Sequence, residues 1–128
     1  MNDEELEEWK NNSYEVQKAL GYDEILASIA EEAAELGQAA LKARRAYNQK
    51  NWTPKTMKEC LDNVFEEIAD VKNTLQAAGF LGDDEQELVA SIMVDKMERW
   101  RDRLEQTHEP DESVSLVGHF LHFIKIRN

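Results

Sequence analysis

Six carboxylates fall in two short acidic runs, with Glu31, Glu32 and Glu35 in one and Glu66, Glu67 and Asp70 in the other. Within each run, spacings of three and four put the acids one turn apart on a helix face. Ile25, Ile29, Glu32 and Leu36 share one row, so Glu32 stands where an apolar residue would continue the stripe. Glu67 does the same between Val64 and Val71, and Asp70 lies one turn beyond it. If the two helices pack face to face, four carboxylates meet at the edge of a core. Their mutual repulsion must then be offset by raised pKa values, basic neighbours or hard divalent cations. Oxygen donors with no cysteine or histidine beside them favour Mg²⁺, with Mn²⁺ the next choice. A single acid of this kind is most often a solvated helix residue. Two acidic pairs on successive helices, each interrupting an apolar stripe, tip the balance toward a metal site.

The elements that must position these groups read as helices, because only two prolines and five glycines punctuate long stretches of Ala, Leu, Glu, Lys, Gln and Arg. Leu6, Trp9, Ser13, Val16 and Leu20 predict a first helix over 3–20 that ends at Gly21. Asp23 is the expected N-cap of a second, running to about Tyr47 with Ile25, Ile29, Ala33, Leu36, Ala40 and Ala43 as its stripe. Thr53 followed by Pro54 reads as the start of a third, which stops near Gly79. A fourth begins around Asp83 with Val89, Met93, Met97, Trp100 and Leu104 on one face. Beyond Pro110 the pattern breaks, and His119 to Ile126 fits a short strand, a docking tail or a last helical turn equally well. The expected fold is all-α: an antiparallel four-helix bundle with a short C-terminal appendage, one domain over 1–128.

Charge and composition narrow the partners. Fifteen basic residues against 27 acidic ones leave a net charge of −12, which disfavours nucleic acid and anionic membranes as direct partners. The 41% hydrophobic content is too high for a disordered acidic tail. One cysteine, Cys60, excludes an internal disulfide framework and fits a reducing compartment. The first residues are acidic, unlike a secretory leader, and the longest apolar run is the short Leu88 to Val94, so a cytoplasmic protein is expected.

EEAAEL at 31–36 followed by EEIADV at 66–71 resembles the EExxE and ExxD motifs of the all-α nucleoside triphosphate pyrophosphohydrolases of the MazG type. The similarity extends to GYDEILASIAEEAAEL, to Lys42 and Arg45, and to KMERWRDRL at 96–104, covering about residues 14–105 and leaving 110–128 unmatched. The resemblance implies Mg²⁺-dependent cleavage between the α and β phosphates of a (deoxy)nucleoside triphosphate, giving monophosphate and pyrophosphate. It makes Glu32, Glu35, Glu67 and Asp70 the metal ligands and Glu31 the residue that orients or deprotonates water. It also implies a homodimer or homotetramer. Substrate charge then calls for cationic partners, and the pairs Lys42 with Arg45 and Lys96 with Arg99 are candidates, as is Asn73 for sugar or phosphate. Two departures stand out: 31 residues separate Glu35 from Glu67, the excess falling in the Asn48 to Thr56 connection, and Met93 and Asp95 occupy the region where many relatives carry an asparagine. The second leaves base and sugar preference open.

Two rival readings remain. A di-iron carboxylate bundle needs Glu-x-x-His on each of two helices, and only Glu105 to His108 fits. A non-catalytic helical module would use the acidic faces to dock a basic partner. Trp9, Met97 and Trp100 read as core or subunit interface. Trp52 fits base stacking or packing back on the core, and His119 and His122 have no assigned role.

Overall fold

A computed structural model of the chain describes residues 1–107. The described residues form α1 (Asp3–Leu20), α2 (Tyr22–Asn48), α3 (Met57–Ala77) and α4 (Asp83–Thr107), and no strand occurs among them. They belong to two compact units, Met1–Gln86 and a second beginning at Glu87; each is described by itself. The expectations for Pro110 and for His119 to Ile126, with His108, lie outside the described residues.

Cap chemistry sets the helix ends. The Asn2 side chain accepts from the Glu5 amide at 2.8 Å while the Glu5 carboxylate accepts from the Asn2 amide at 2.8 Å, satisfying two otherwise unpaired donors. Gly21, at φ 82°, ends α1 and immediately precedes α2. That backbone angle suits glycine and turns the chain within one residue. The second helix therefore starts at Tyr22, and Asp23 lies in its first turn rather than at the expected N-cap.

The third helix also starts later than Thr53 and Pro54 suggest. Its N-cap is Thr56, whose hydroxyl accepts from the Glu59 amide at 3.2 Å while Glu59 accepts from the Thr56 amide at 2.7 Å. Thr53 has a threonine, not an acid, three residues on, so only Thr56 can close this reciprocal pair. The far end closes through Gly79, at φ 78°, with Gly79 N–H donating to Gln76 O and Phe80 N–H to Leu75 O, both at 2.9 Å. This 5→2 and 6→1 pairing satisfies the last carbonyls.

Ile25 packs with Ala77 and Ala78, whereas Ala43 packs with Cys60 and Leu61. The start of α2 thus meets the end of α3 and its end meets the start of α3, so the two helices run antiparallel. The buried and half-buried positions of α2 are Ile25, Ile29, Glu32, Leu36, Ala39, Ala43 and Ala46, among others. These alternate at spacings of four and three, a seam of period 3.5 rather than 3.6. Ala39 therefore faces inward, while Ala33 and Ala40, expected on the stripe, are exposed.

The first helix lies against this pair without a single fully buried residue. Trp9 Nε1 donates to Asn73 Oδ1 at 2.9 Å, a bond across 64 residues that ties α1 to α3. Val16 and Leu20, on the apolar face that marks this helix in the sequence, remain 45% and 51% exposed. The α4 stripe is open too: Met97 and Trp100 are 62% and 59% exposed, so neither belongs to a core of the described residues. Periodicity puts side chains on one face but does not itself supply a covering element.

Thr56→Ala is expected to lower stability by about 1 kcal/mol, whereas Thr53→Ala changes it much less. Urea unfolding of the two variants checks this, and a larger loss at Thr53 contradicts the observed helix start.

Candidate functional site

The carboxylates sit between the two apolar clusters of the α2·α3 pair. One cluster holds Ile25, Ile29, Ala77 and Ala78; the other holds Ala43, Ala46, Met57, Cys60, Leu61 and Val64. Between them, Glu32 occupies the α2 seam and Glu67 the α3 seam, and both are half-buried. Glu35, one turn along from Glu32, is exposed. One carboxylate oxygen from each of Glu32, Glu35 and Glu67 lies within 4.8 Å of the others. Glu67 Oε2 is buried and has no hydrogen-bond partner.

Electrostatics report the same convergence. The Glu32 carboxyl is held above its ordinary value, chiefly by desolvation and then by the negative charges of Glu35, Asp70, Glu67 and Glu31. Asp70 and Glu31 are thus close enough to act on Glu32, although both are exposed and stand outside the three-oxygen cluster. A buried oxygen without a donor amid like charges is a costly arrangement that a cation relieves. Around an octahedral Mg²⁺ with bonds of about 2.1 Å, opposite ligand oxygens lie about 4.2 Å apart. Only one pair of three ligands can be opposite, the others lying about 3.0 Å apart, so the three oxygens would have to draw together to share one ion; the all-oxygen donor set suits a hard cation.

The cationic candidates are spread more widely. Lys42 lies seven residues beyond Glu35 on α2, about 10 Å along the axis, and Arg45 lies ten beyond, about 15 Å. Arg45 instead lines a separate cavity with Trp52 and Lys55. Lys96 and Arg99 are exposed on α4, where Arg99 Nε donates to Asp95 O at 3.3 Å. Asn73 is one turn past Asp70, and its carbonyl oxygen is engaged by Trp9. Trp52 does not fold back on the core: it is 83% exposed.

One feature of the site escapes sequence reading. A groove of about 280 Å³ is bounded by Trp9, Val16 and Leu20 from α1, Ile25 from α2, and Asn73 and Ala77 from α3. Ser28, also on its wall, is one turn from Glu32, and Thr74 is one turn from Asp70. The groove exists because Val16 and Leu20 are not pressed onto the helix pair. Their spacing marks an apolar face, but nothing in it says whether that face closes.

Comparison with protein-family models, with curated proteins and with solved structures gave no match to this chain.

The raised Glu32 value gives a signed pH dependence. Well below the ordinary glutamate value of about 4.3, folded and unfolded chains both hold this proton and Glu32 exacts no penalty. As pH rises, the unfolded chain releases the proton first, so this contribution erodes stability until pH passes the higher folded value. Glu32→Gln should therefore gain stability relative to wild type between pH 4 and neutrality in metal-free buffer. Thermal melts across that range test it, and a wild-type-minus-variant difference that stays flat with pH contradicts the electrostatic assignment.

Proposed function

We propose that the chain is a Mg²⁺-dependent nucleotide pyrophosphohydrolase, with Mn²⁺ able to substitute, that splits a (deoxy)nucleoside triphosphate into monophosphate and pyrophosphate. The observation that carries this reading is the unpartnered Glu67 Oε2 beside Glu32 and Glu35, an oxygen-only cluster built into a helix seam. Its support from the sequence is the resemblance of the 31–36 and 66–71 segments to the MazG-type motifs.

In this reading Glu32, Glu35 and Glu67 hold the cation, and Asp70, one turn beyond Glu67, completes the set. A divalent cation bound there polarises the phosphate oxygens and lowers the pKa of water. Glu31 receives the proton as water adds to phosphorus, the α–β bridging bond breaks, and pyrophosphate departs. The apolar groove beginning one turn away accepts the base, with Ser28, Thr74 and Asn73 as polar groups at its wall. Lys42 is the cation on α2 best placed to approach the outer phosphates, and Lys96 and Arg99 are the α4 candidates that the resemblance implies.

Assembly as a homodimer or homotetramer fits the open stripe of Val89, Met93, Met97, Trp100 and Leu104, more apolar surface in one row than a lone helix usually leaves to water. Among the described residues no helix is long and apolar enough to cross a membrane. A cytoplasmic role in the nucleotide pool follows from the proposed substrate. The reading of a non-catalytic acidic module that docks a basic partner is separated by the same experiment.

Purified protein incubated with a panel of NTPs and dNTPs and Mg²⁺ or Mn²⁺ should convert at least one to monophosphate and pyrophosphate. Glu67→Gln should lower that rate ~100-fold or more. Release of diphosphate and orthophosphate, or no cleavage of any nucleotide, overturns the proposal. A purely docking surface would leave Glu67→Gln with nothing but a weaker, salt-sensitive affinity.

A further inference from the structure

Charge is segregated along the chain in a way the acid cluster does not use. From Leu36 to Lys58 there is no aspartate or glutamate, although 27 acids among 128 residues would place about five in such a stretch. The same stretch holds Lys42, Arg44, Arg45, Lys50, Lys55 and Lys58. It comprises the C-terminal half of α2, the connection and the first turn of α3, so the α2–α3 turn is a basic end on an acidic molecule.

Helix energetics explain only part of this. Lys42, Arg44 and Arg45 sit near the C-terminus of α2, where the helix dipole favours cations. Lys55 directly precedes the N-cap of α3 and Lys58 falls in its first turn, at the dipole's positive end, where cations are disfavoured. Lys58 pairs with Asp62 at 2.9 Å. Arg45, Lys50 and Lys55 make no ion pair among the described residues.

An aromatic plane stands beside two of these cations, Arg45 and Lys55, the second of which also acts on the Glu59 carboxylate. Trp52 is 83% exposed, the most open large apolar side chain among the described residues. It borders a cavity of about 400 Å³ that Arg45, Gln49, Asn51, Lys55 and Thr56 also line, within the ~300–1,000 Å³ range of single small-molecule sites. An indole face, a guanidinium, an ammonium and neutral hydrogen-bonding groups around one cavity match a ligand with a flat ring and an attached anion.

We propose that this end of the helix pair is a second site, which binds one nucleoside phosphate with its ring stacked on Trp52 and its phosphate held by Arg45 and Lys55. It is separate from the carboxylates, since Arg45 is about 15 Å along α2 from Glu35, and it does not depend on their having a metal. A single nucleotide is favoured over a strand because carboxylates resume on both sides, at Glu35 and Glu59. A longer polyanion leaving the cavity would meet them.

The test is calorimetric titration of the full chain in EDTA with ADP, adenosine, orthophosphate and a short single-stranded oligonucleotide. ADP should bind, ~10-fold or more tighter than adenosine or orthophosphate. Trp52→Ala should weaken ADP at least ~5-fold, and Arg45→Gln by a similar factor, with a shallower dependence on salt. Glu67→Gln should leave this affinity unchanged, which keeps the result independent of the proposed hydrolysis. The proposal is overturned if ADP fails to bind or if Trp52→Ala binds it as wild type does. It is equally overturned if orthophosphate matches ADP or if the oligonucleotide binds more tightly than ADP.

Discussion

The half-buried Glu32 and Glu67 constrain everything around them. Each takes a seam position of an antiparallel helix pair, where an apolar side chain would add packing and no repulsion. The pair holds together because apolar contacts lie on both sides: Ile25 with Ala77 and Ala78 at one end, Ala43 with Cys60 and Leu61 at the other. Hydrophobic burial at the ends offsets electrostatic cost in the middle. The rise in the Glu32 pKa is the visible residue of that contest.

The first helix is attached differently from the pair it lies against: none of its residues is fully buried. A directional bond, Trp9 to Asn73, contributes where area does not. The result is a wall of apolar side chains standing off the pair, with a groove behind it rather than a third packed layer.

Much of this was legible in the residues, and the failures have identifiable physics. The number of helices and the ends at Leu20 and Asp83 follow from propensity and punctuation, because Gly21, Pro54, Gly79 and Gly82 break an otherwise helix-favouring composition. Glu32 and Glu67 were recognisable because each interrupts an apolar row, and a row is a local property. Thr53 misleads because proline at a first turn is a common start signal, yet the reciprocal bond of Thr56 with Glu59 decides. Ala39 rather than Ala40 turns inward because the partner helix imposes a 3.5-residue seam that α2 alone does not reveal. The openness of Val16, Leu20 and the α4 stripe was unreadable for the same reason: burial depends on what another element covers. The pairing of Trp9 with Asn73 spans 64 residues and leaves no local trace.

The alanines of the second helix carry a last implication. Ala39 and Ala43 are buried in the same seam as Glu32, about two and three turns away. Small side chains there let the two backbones approach closely, so the span between the carboxylates of α2 and α3 is set by the size of residues that carry no charge. The alanines act as a caliper: a methylene added at Ala43 would spread the jaws at the glutamates. Side-chain size in this core and the geometry of the acidic cluster are therefore coupled.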